Sequence, residues 1–419
     1  METTESSLAI KRRWQSLFAA FSGWTLDAMD NMFLALALPL IGKTFDCSLT
    51  ELGFLVTATL AGAGIGGMFA GSYADKHGRV NLLTWTMTGY AVFTGLCGFA
   101  QSYTQLLVLR FIVGLFLGAE WGPGAALVSE YWPEKYRARA TAFVHSGFAV
   151  GFLLASVLFM YIVPAYGWQA LFFVGVLPAF VALAIRRTLP EPEAWTETKK
   201  QESVGAVGEI SVGSTFSVLF SSRYMRYTIL TCLLSTAAMM AFWGSASWLP
   251  TYLAKVKGLD VVKTGSYMIL LNLGAFCGHN TLGFLADKKG RRFSFLFGLV
   301  GSIIVTVLYV MIDAPQVLLL FGMVFGFFTY GYFGMFGAYL SEIFPVEARA
   351  SGVSFTFSVG KIAAMASPYL IGYVGTVYGL GLGIGLTSLF YLLGVIAILL
   401  LPETRNLAAS TIALNTKEV

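Results

Sequence analysis

Charged side chains are what this chain has least of. Asp, Glu, Lys and Arg make up 12% of its 419 residues, where a soluble domain carries about 25%. Three histidines and four cysteines supply neither a metal-ligand cluster nor a disulfide framework. Cys97, Cys232 and Cys277 fall in apolar runs and Cys47 in a short polar gap. There is no Ser–His–Asp constellation and no nucleotide-binding loop. The glycine-rich "GAGIGG" at 62–67 lies inside an apolar run, where small residues let helices approach closely. These absences argue against an enzyme and call for no cofactor or metal. No cleavable signal is expected, because "METTESSLAIKRRWQS" is polar and the first apolar run is too long for one.

Hydrophobic residues are what remains, at 57% with a mean hydropathy of +0.73. They gather in runs near the ~20 residues a bilayer-spanning helix needs. Twelve are read, at 16–41, 51–72, 81–100, 104–130, 139–163, 168–188, 225–254, 263–286, 293–312, 316–341, 350–376 and 380–401. The expectation is an all-α membrane protein: a tail at 1–15, six helices over 16–189, a linker at 190–222, six helices over 223–402 and a tail at 403–419. Basic residues gather in cytoplasmic loops. Of the 27 Lys and Arg, Lys43, Lys255, Lys257 and Lys263 fall on one side and Arg110 and Lys361 inside runs, which leaves 21 for the side of the termini and linker. Both termini are therefore expected in the cytoplasm, with the helices in the cell (inner) membrane. The net charge of +5 is explained by this topology, and nucleic acid is not an expected partner.

The two halves repeat. "GSYADKHGRVN" at 71–81 returns as "GFLADKKGRRF" at 283–293, and "SEYWPEKYRAR" at 129–139 returns as "SEIFPVEARAS" at 341–351, both at one and the same offset. The "GxxxDxxGR" pattern after the second and eighth runs resembles the loop signature of the major facilitator superfamily. The resemblance covers essentially the whole chain. It implies two pseudo-symmetric six-helix bundles that expose a central cavity to each side in turn, as repeat-built transporters do. Asp75, Arg79, Asp287 and Arg291, with Glu130, Arg137, Glu342 and Arg349, are then expected to form gating ion-pair networks; the alternative is that they only fix topology. Within the superfamily, "GWTLDAMDNMFL", "GLFLGAEWGPGAALVSEYWPEKYRARATAF" and "FGAYLSEIFPVEARASGVSFTFSVGKIAAMASP" resemble the metabolite:proton symporters, carriers of sialic acid, monocarboxylates, nicotinate and aromatic acids.

Charges inside the runs are costly, by roughly 2.5–3.5 kcal/mol each at the bilayer centre on insertion scales. At about 1.5 Å per residue, Asp30 in the first run and Arg110 in the fourth reach the same depth, roughly 21 Å from the inner side. Asp27 lies one turn away on the same face as Asp30. Asp30 can pair with Arg110 and take up a proton as access changes sides, or the two can form a static bridge. The symporter resemblance implies the first role, since "RFIVG" at 110–114 matches the "RxxxG" pattern. Asp27 is read as a second proton-coupling carboxylate or, alternatively, as a substrate contact or a modulator of Asp30. Glu120 and His145 are a second candidate pair, as a proton station or a structural hydrogen bond. Lys361, near mid-depth in the eleventh run, is expected to meet a substrate carboxylate or to pair with Asp27 or Asp30. Asn272, Tyr330, Tyr332 and Trp24 are the remaining candidate substrate contacts, while His279, Trp243 and Trp248 suit packing and Trp132 and Trp168 the membrane interface.

Taken with the resemblance, these features point to a proton-coupled importer of a small organic anion, energised by the proton gradient and complete as a monomer. Its partners would be the anion, protons and the lipid bilayer. The alternatives are an exporter or a neutral-solute carrier of the same fold and, in a different class, a non-transporting membrane sensor.

Overall fold

A computed structural model describes residues 7–119, 128, 131–132, 134–177, 180–181, 184, 190–191, 218–344 and 349–404. The described residues are overwhelmingly helical. In order the helices are α1 (Ser7–Thr44), α2 (Leu49–His77), α3 (Arg79–Cys97), α4 (Tyr103–Gly118), α5 (Glu134–Tyr166), α6 (Gln169–Val174), α7 (Met225–Lys255), α8 (Val261–Lys289), α9 (Arg291–Met311), α10 (Pro315–Gly331), α11 (Phe336–Ile343), α12 (Arg349–Ala364), α13 (Ala366–Tyr378) and α14 (Leu380–Leu400). Among the described residues, eight helices are long and apolar enough to cross a membrane. In hydrocarbon a backbone must satisfy its own N–H and C=O groups, so an apolar chain of this length spans as helices.

Hydropathy marks where lipid begins, and helices continue past it. The first run is expected at 16–41, whereas α1 has 38 residues. Its polar start is held by the turn at 131–132: Arg13 Nε donates to the Tyr131 carbonyl (3.1 Å) and Trp132 Nε1 donates to the Arg13 carbonyl (3.1 Å). The tenth and eleventh runs are each interrupted. A 3₁₀ turn at Tyr332–Met335 separates α10 from α11, and α12 ends at Ala364, four residues before Pro368. Proline has no N–H to return to the carbonyl four residues back, which opens the helix there.

The chain divides into two compact units, Met1–Leu40 with Ala58–Glu209 and Ile41–Thr57 with Ile210–Val419. In the first, α2 crosses α4 at backbone contact. A Cβ on Gly62 would stand 2.2 Å from the Phe111 carbonyl oxygen, one on Gly66 1.9 Å from that of Leu115, and one on Gly114 2.1 Å from that of Thr59. In the second, α8 crosses α10 through Gly274 against Met323 (1.9 Å), Gly278 against Phe327 (2.2 Å) and Gly326 against Leu271 (1.9 Å). Every partner in this set follows its counterpart at the offset that relates 71–81 to 283–293. The duplication read in the loops therefore extends to the helix crossings, where only glycine fits. The core of the second unit joins α7, α8, α9, α11 and α14 through Leu234, Leu282, Phe295, Tyr339 and Tyr391.

The segment 41–57 is grouped with the second unit. There Thr57 donates to the Met365 carbonyl (2.8 Å), beside the Trp248 indole N–H that donates to the Pro368 carbonyl (2.8 Å).

Candidate functional site

The glycine crossing of α2 on α4 and the packing of α3 along α4 bring a salt bridge into the interior of the first unit. Arg110 is 0% exposed and Asp30 1%. Arg110 Nη2 meets Asp30 Oδ2 at 3.0 Å and Nη1 meets Oδ1 at 3.3 Å, a two-pronged pairing. The Thr94 hydroxyl of α3 donates to Asp30 Oδ1 at 2.8 Å. Arg110 Nε donates to Thr59 Oγ1 on α2 at 3.2 Å. The guanidinium also lies over the Phe172 ring of α6, 5.9 Å from its centroid, with the Cys97 side chain beside it. Two buried charges thus have partners from three neighbouring helices. Such a pair is stable as a unit, and removing either member strands the other.

The depth argument brought Asp30 and Arg110 together, and the structure pairs them. Asp27, 7% exposed, accepts at 2.6 Å from the side-chain amide of Asn31, one turn on. Trp24 meets His145 edge to face, with ring centroids 5.7 Å apart, and Phe148 at 5.5 Å. Glu120 and Glu130 lie outside the described residues, as do the side chains of Asp75, Arg79, Arg137 and Arg349. Of the second expected ion-pair network, the described side chains are in contact. Arg291 bridges Asp287 (3.0 Å) and Glu342 (3.0 Å), and Thr404 donates to Glu342.

In the second unit Asn272 is 1% exposed; its amide donates to the Met268 carbonyl (2.8 Å) while its Oδ1 has no hydrogen bond. The Tyr330 hydroxyl is likewise buried, with the Ser245 side chain nearby. Tyr332 is a core residue, 0% exposed, stacked on Phe333 and donating to the Ala238 carbonyl. Lys361 occupies the last turn of α12 with its ammonium 5.8 Å from the Phe357 ring centroid. The negative end of an interrupted helix favours a cation there, a feature that the Pro368 break explains and the residue count alone did not. His279 bonds the Ala275 carbonyl through Nδ1 (2.8 Å), as suits a packing histidine.

Sequence reasoning missed two groups. One is the set around the pair: Thr94, Thr59, Cys97 and Phe172. The other is a pair of carboxylate caps. Glu191 accepts from the backbone N–H groups of Val80 (3.1 Å) and Asn81 (2.8 Å), and Glu403 from those of Arg291 (2.9 Å) and Arg292 (3.0 Å). They close the N-termini of α3 and α9, where donors are otherwise unsatisfied. Gly78 and Gly290, at φ 103° and 105°, turn the chain just before. The signal was available, since "LPE" at 189–191 returns at 401–403, again at the offset of the longer repeats.

Comparison with known proteins follows the same lines. The chain is 32% identical to the cis,cis-muconate transport protein of Acinetobacter baylyi, over 93% of this chain and 95% of that protein. It is 31% identical to the sialic acid transporter NanX of Escherichia coli, over 90% and 91%. A solved structure of a bacterial homolog of the human lysosomal transporter Spinster superposes with a TM-score of 0.74 at 17% identity, covering 96% of this chain and 98% of that one; at that identity the likeness concerns the fold. Relatives named as transporters agree with the reading that the chain is not an enzyme, and the fold is the twelve-helix one expected of a multi-pass membrane protein. The family description "Major Facilitator Superfamily" matches residues 20–315 and 281–413. On its fold, its repeat and these matches, the chain belongs to the Major Facilitator Superfamily.

Proposed function

We propose that this chain imports a small organic acid together with protons, with Asp30 as the proton-carrying group. The observation that carries the reading is the buried Asp30–Arg110 pair. A carboxylate in so dry a place stays charged only while a cation holds it. Proton uptake by Asp30 would release Arg110, and proton loss would restore the pair. That gives the interior two discrete arrangements, which alternating access requires. Intramembrane carboxylates serve as proton relays for this reason.

The substrate class rests on the relatives named for muconate and sialic acid, both carboxylates, and on Lys361 as a half-buried cation in the last turn of α12, just before the helix break. Asn272 Oδ1, buried and without a hydrogen bond, is the polar atom proposed to engage such an acid. Import is the direction an inward proton gradient would drive, a proton entering with the anion offsetting its charge. The excess of Lys and Arg in the terminal and linker segments supports cytoplasmic termini in the inner membrane.

The test uses purified protein in lightly buffered vesicles, with external pH followed as cis,cis-muconate, nicotinate, 4-hydroxybenzoate, lactate, sialic acid or glucose is added. Alkalinisation with a carboxylate, abolished by Asp30→Asn and by Lys361→Ala, is the expected result. Entry of labelled acid at constant pH would refute proton coupling. Alkalinisation with glucose alone would refute the anion reading.

A further inference from the structure

Helix α3 carries no charge near the ion pair, yet it touches both members of it. Its threonines show how. Thr84, Thr86 and Thr88 all donate to carbonyls of their own helix, those of Val80 (2.7 Å), Leu83 (3.0 Å) and Thr84 (2.7 Å). That is the ordinary habit of a helical threonine. Thr94 departs from it, reaching across to α1 to donate to Asp30 Oδ1 at 2.8 Å. It is 0% exposed, out of reach of bulk solvent.

We propose that Thr94 is a positioning residue that sets the pH at which Asp30 exchanges its proton. The proposal rests on the reading of Asp30 as the proton carrier. Asp30 accepts two bonds at Oδ1, from Arg110 Nη1 and Thr94, and one at Oδ2 from Arg110 Nη2. The groups facing it are Arg110 from α4 and Thr94 and Cys97 from α3, with Asp27 one turn back on its own helix. When a proton binds Asp30, the carboxylate becomes an acid and Arg110 loses its counter-charge. Arg110 keeps Thr59, Cys97 and the Phe172 ring. The Thr94 hydroxyl can then turn to accept from the acid, or return to the carbonyl of Tyr90, one turn back, as its neighbours do. Thr94 therefore favours the charged form more than the neutral one, because a hydrogen bond to an ion is about twice as strong as one between neutral groups. The repeat gives an internal contrast. Thr306, the counterpart of Thr94 in the second half, is 0% exposed and its hydroxyl makes no hydrogen bond; the residue at the Asp30 position there is Phe242.

The experiment is an infrared pH titration of the purified full-length protein in lipid, with no substrate. A carboxylic-acid C=O band that grows as pH falls and is absent in Asp30→Asn reports Asp30 directly. Thr94→Val keeps the shape and removes the donor; the midpoint is expected to move to higher pH by about half to one unit, the difference between a charged and a neutral hydrogen bond. Thr94→Ser restores the hydroxyl and should restore the wild-type midpoint, and Thr94→Ala substitutes for the valine variant if that one does not fold. An unmoved midpoint in the variants lacking the hydroxyl would overturn the role of Thr94 and leave Asp30 as carrier. The absence of any Asp30 band in the wild type would instead overturn the proton-carrier reading, and the proposal with it.

Discussion

Separating Asp30 from Arg110 should harm the protein in two chemically different ways. In Asp30→Asn the guanidinium stays buried at 0% exposure, holding Thr59 and the Phe172 ring but no anion. It cannot shed its proton, so the full penalty of a stranded charge remains, about 3–5 kcal/mol. In Arg110→Met the stranded group is a carboxylate, which can escape by taking a proton that the unfolded, water-exposed carboxylate would not bind. Its stability then depends on pH. The folded state holds one more proton than the unfolded state, so stability rises as pH falls, by up to about 1.4 kcal/mol per unit. Asp30→Asn should show no such slope beyond the wild type's own. In the double variant Asp30→Asn/Arg110→Met no charge remains, and most of the loss should return, since buried pairs are replaceable by neutral groups of similar volume. The assay is thermal unfolding in detergent from about pH 8 to about pH 5, followed by tryptophan emission. Equal pH slopes for the two single variants, or a double variant as unstable as the sum of both, would refute the account.

Gly114→Ala places a Cβ 2.1 Å from the Thr59 carbonyl oxygen. The backbone must separate, at a cost of about 1–3 kcal/mol or more, read as a lower melting temperature. Gly283→Ala, with nothing among the described residues within 4 Å, should instead gain up to about 1 kcal/mol from helix propensity. Glu403→Ala removes the acceptor for two N–H groups at the start of α9 and should cost about 0.5–2 kcal/mol; hydrogen exchange at Arg291 and Arg292 should rise, and unchanged exchange would count against the cap. Burial, then the charges of Glu51 and Asp46, push the Cys47 thiol above its ordinary pKa while Lys255 pulls it down. It therefore carries little thiolate at neutral pH, and its maleimide labelling should be slower than that of an exposed thiol and faster in Glu51→Gln. An unchanged rate in Glu51→Gln would show that burial alone controls it.

Much of the fold was legible because hydrophobic length is a coarse, robust signal. Its errors are those of the signal. Hydropathy starts the first helix at residue 16, where the apolar run begins, although α1 is helical from Ser7. It also reads 350–376 as one run, blind to the missing N–H of Pro368. The ion pair was legible because charges in lipid are rare and depth can be counted at a fixed rise per residue. Thr94 was not, because threonines are common in these helices and nothing in the sequence says which one leaves its own helix. The caps at Glu191 and Glu403 were overlooked because so short a repeat as "LPE" draws little notice beside the long loop motifs.

The repeat bears most directly on whether the ion pair is structural or functional. Helix crossings match at the common offset: Gly62, Gly66 and Gly114 press on the same backbone positions as Gly274, Gly278 and Gly326. The charges do not match. At the positions of Asp30, Arg110, Cys97 and Thr59 the second half has Phe242, Gly322, Tyr309 and Leu271. The Tyr309 hydroxyl lies 3.9 Å from where a Cβ on Gly322 would stand, so an aromatic side chain from the neighbouring helix occupies space near the position from which Arg110 extends in the first half. One chain thus contains two solutions to one packing problem, one ionic and one apolar. Buried pairs seldom outperform apolar packing in stability. If the helix crossing were all that mattered, the apolar solution would serve both halves. The ionic one has a property the other lacks: it can exist in two protonation states. That contrast, internal to the molecule, adds support to the proposal that Asp30 carries a proton and is not half of a permanent bridge.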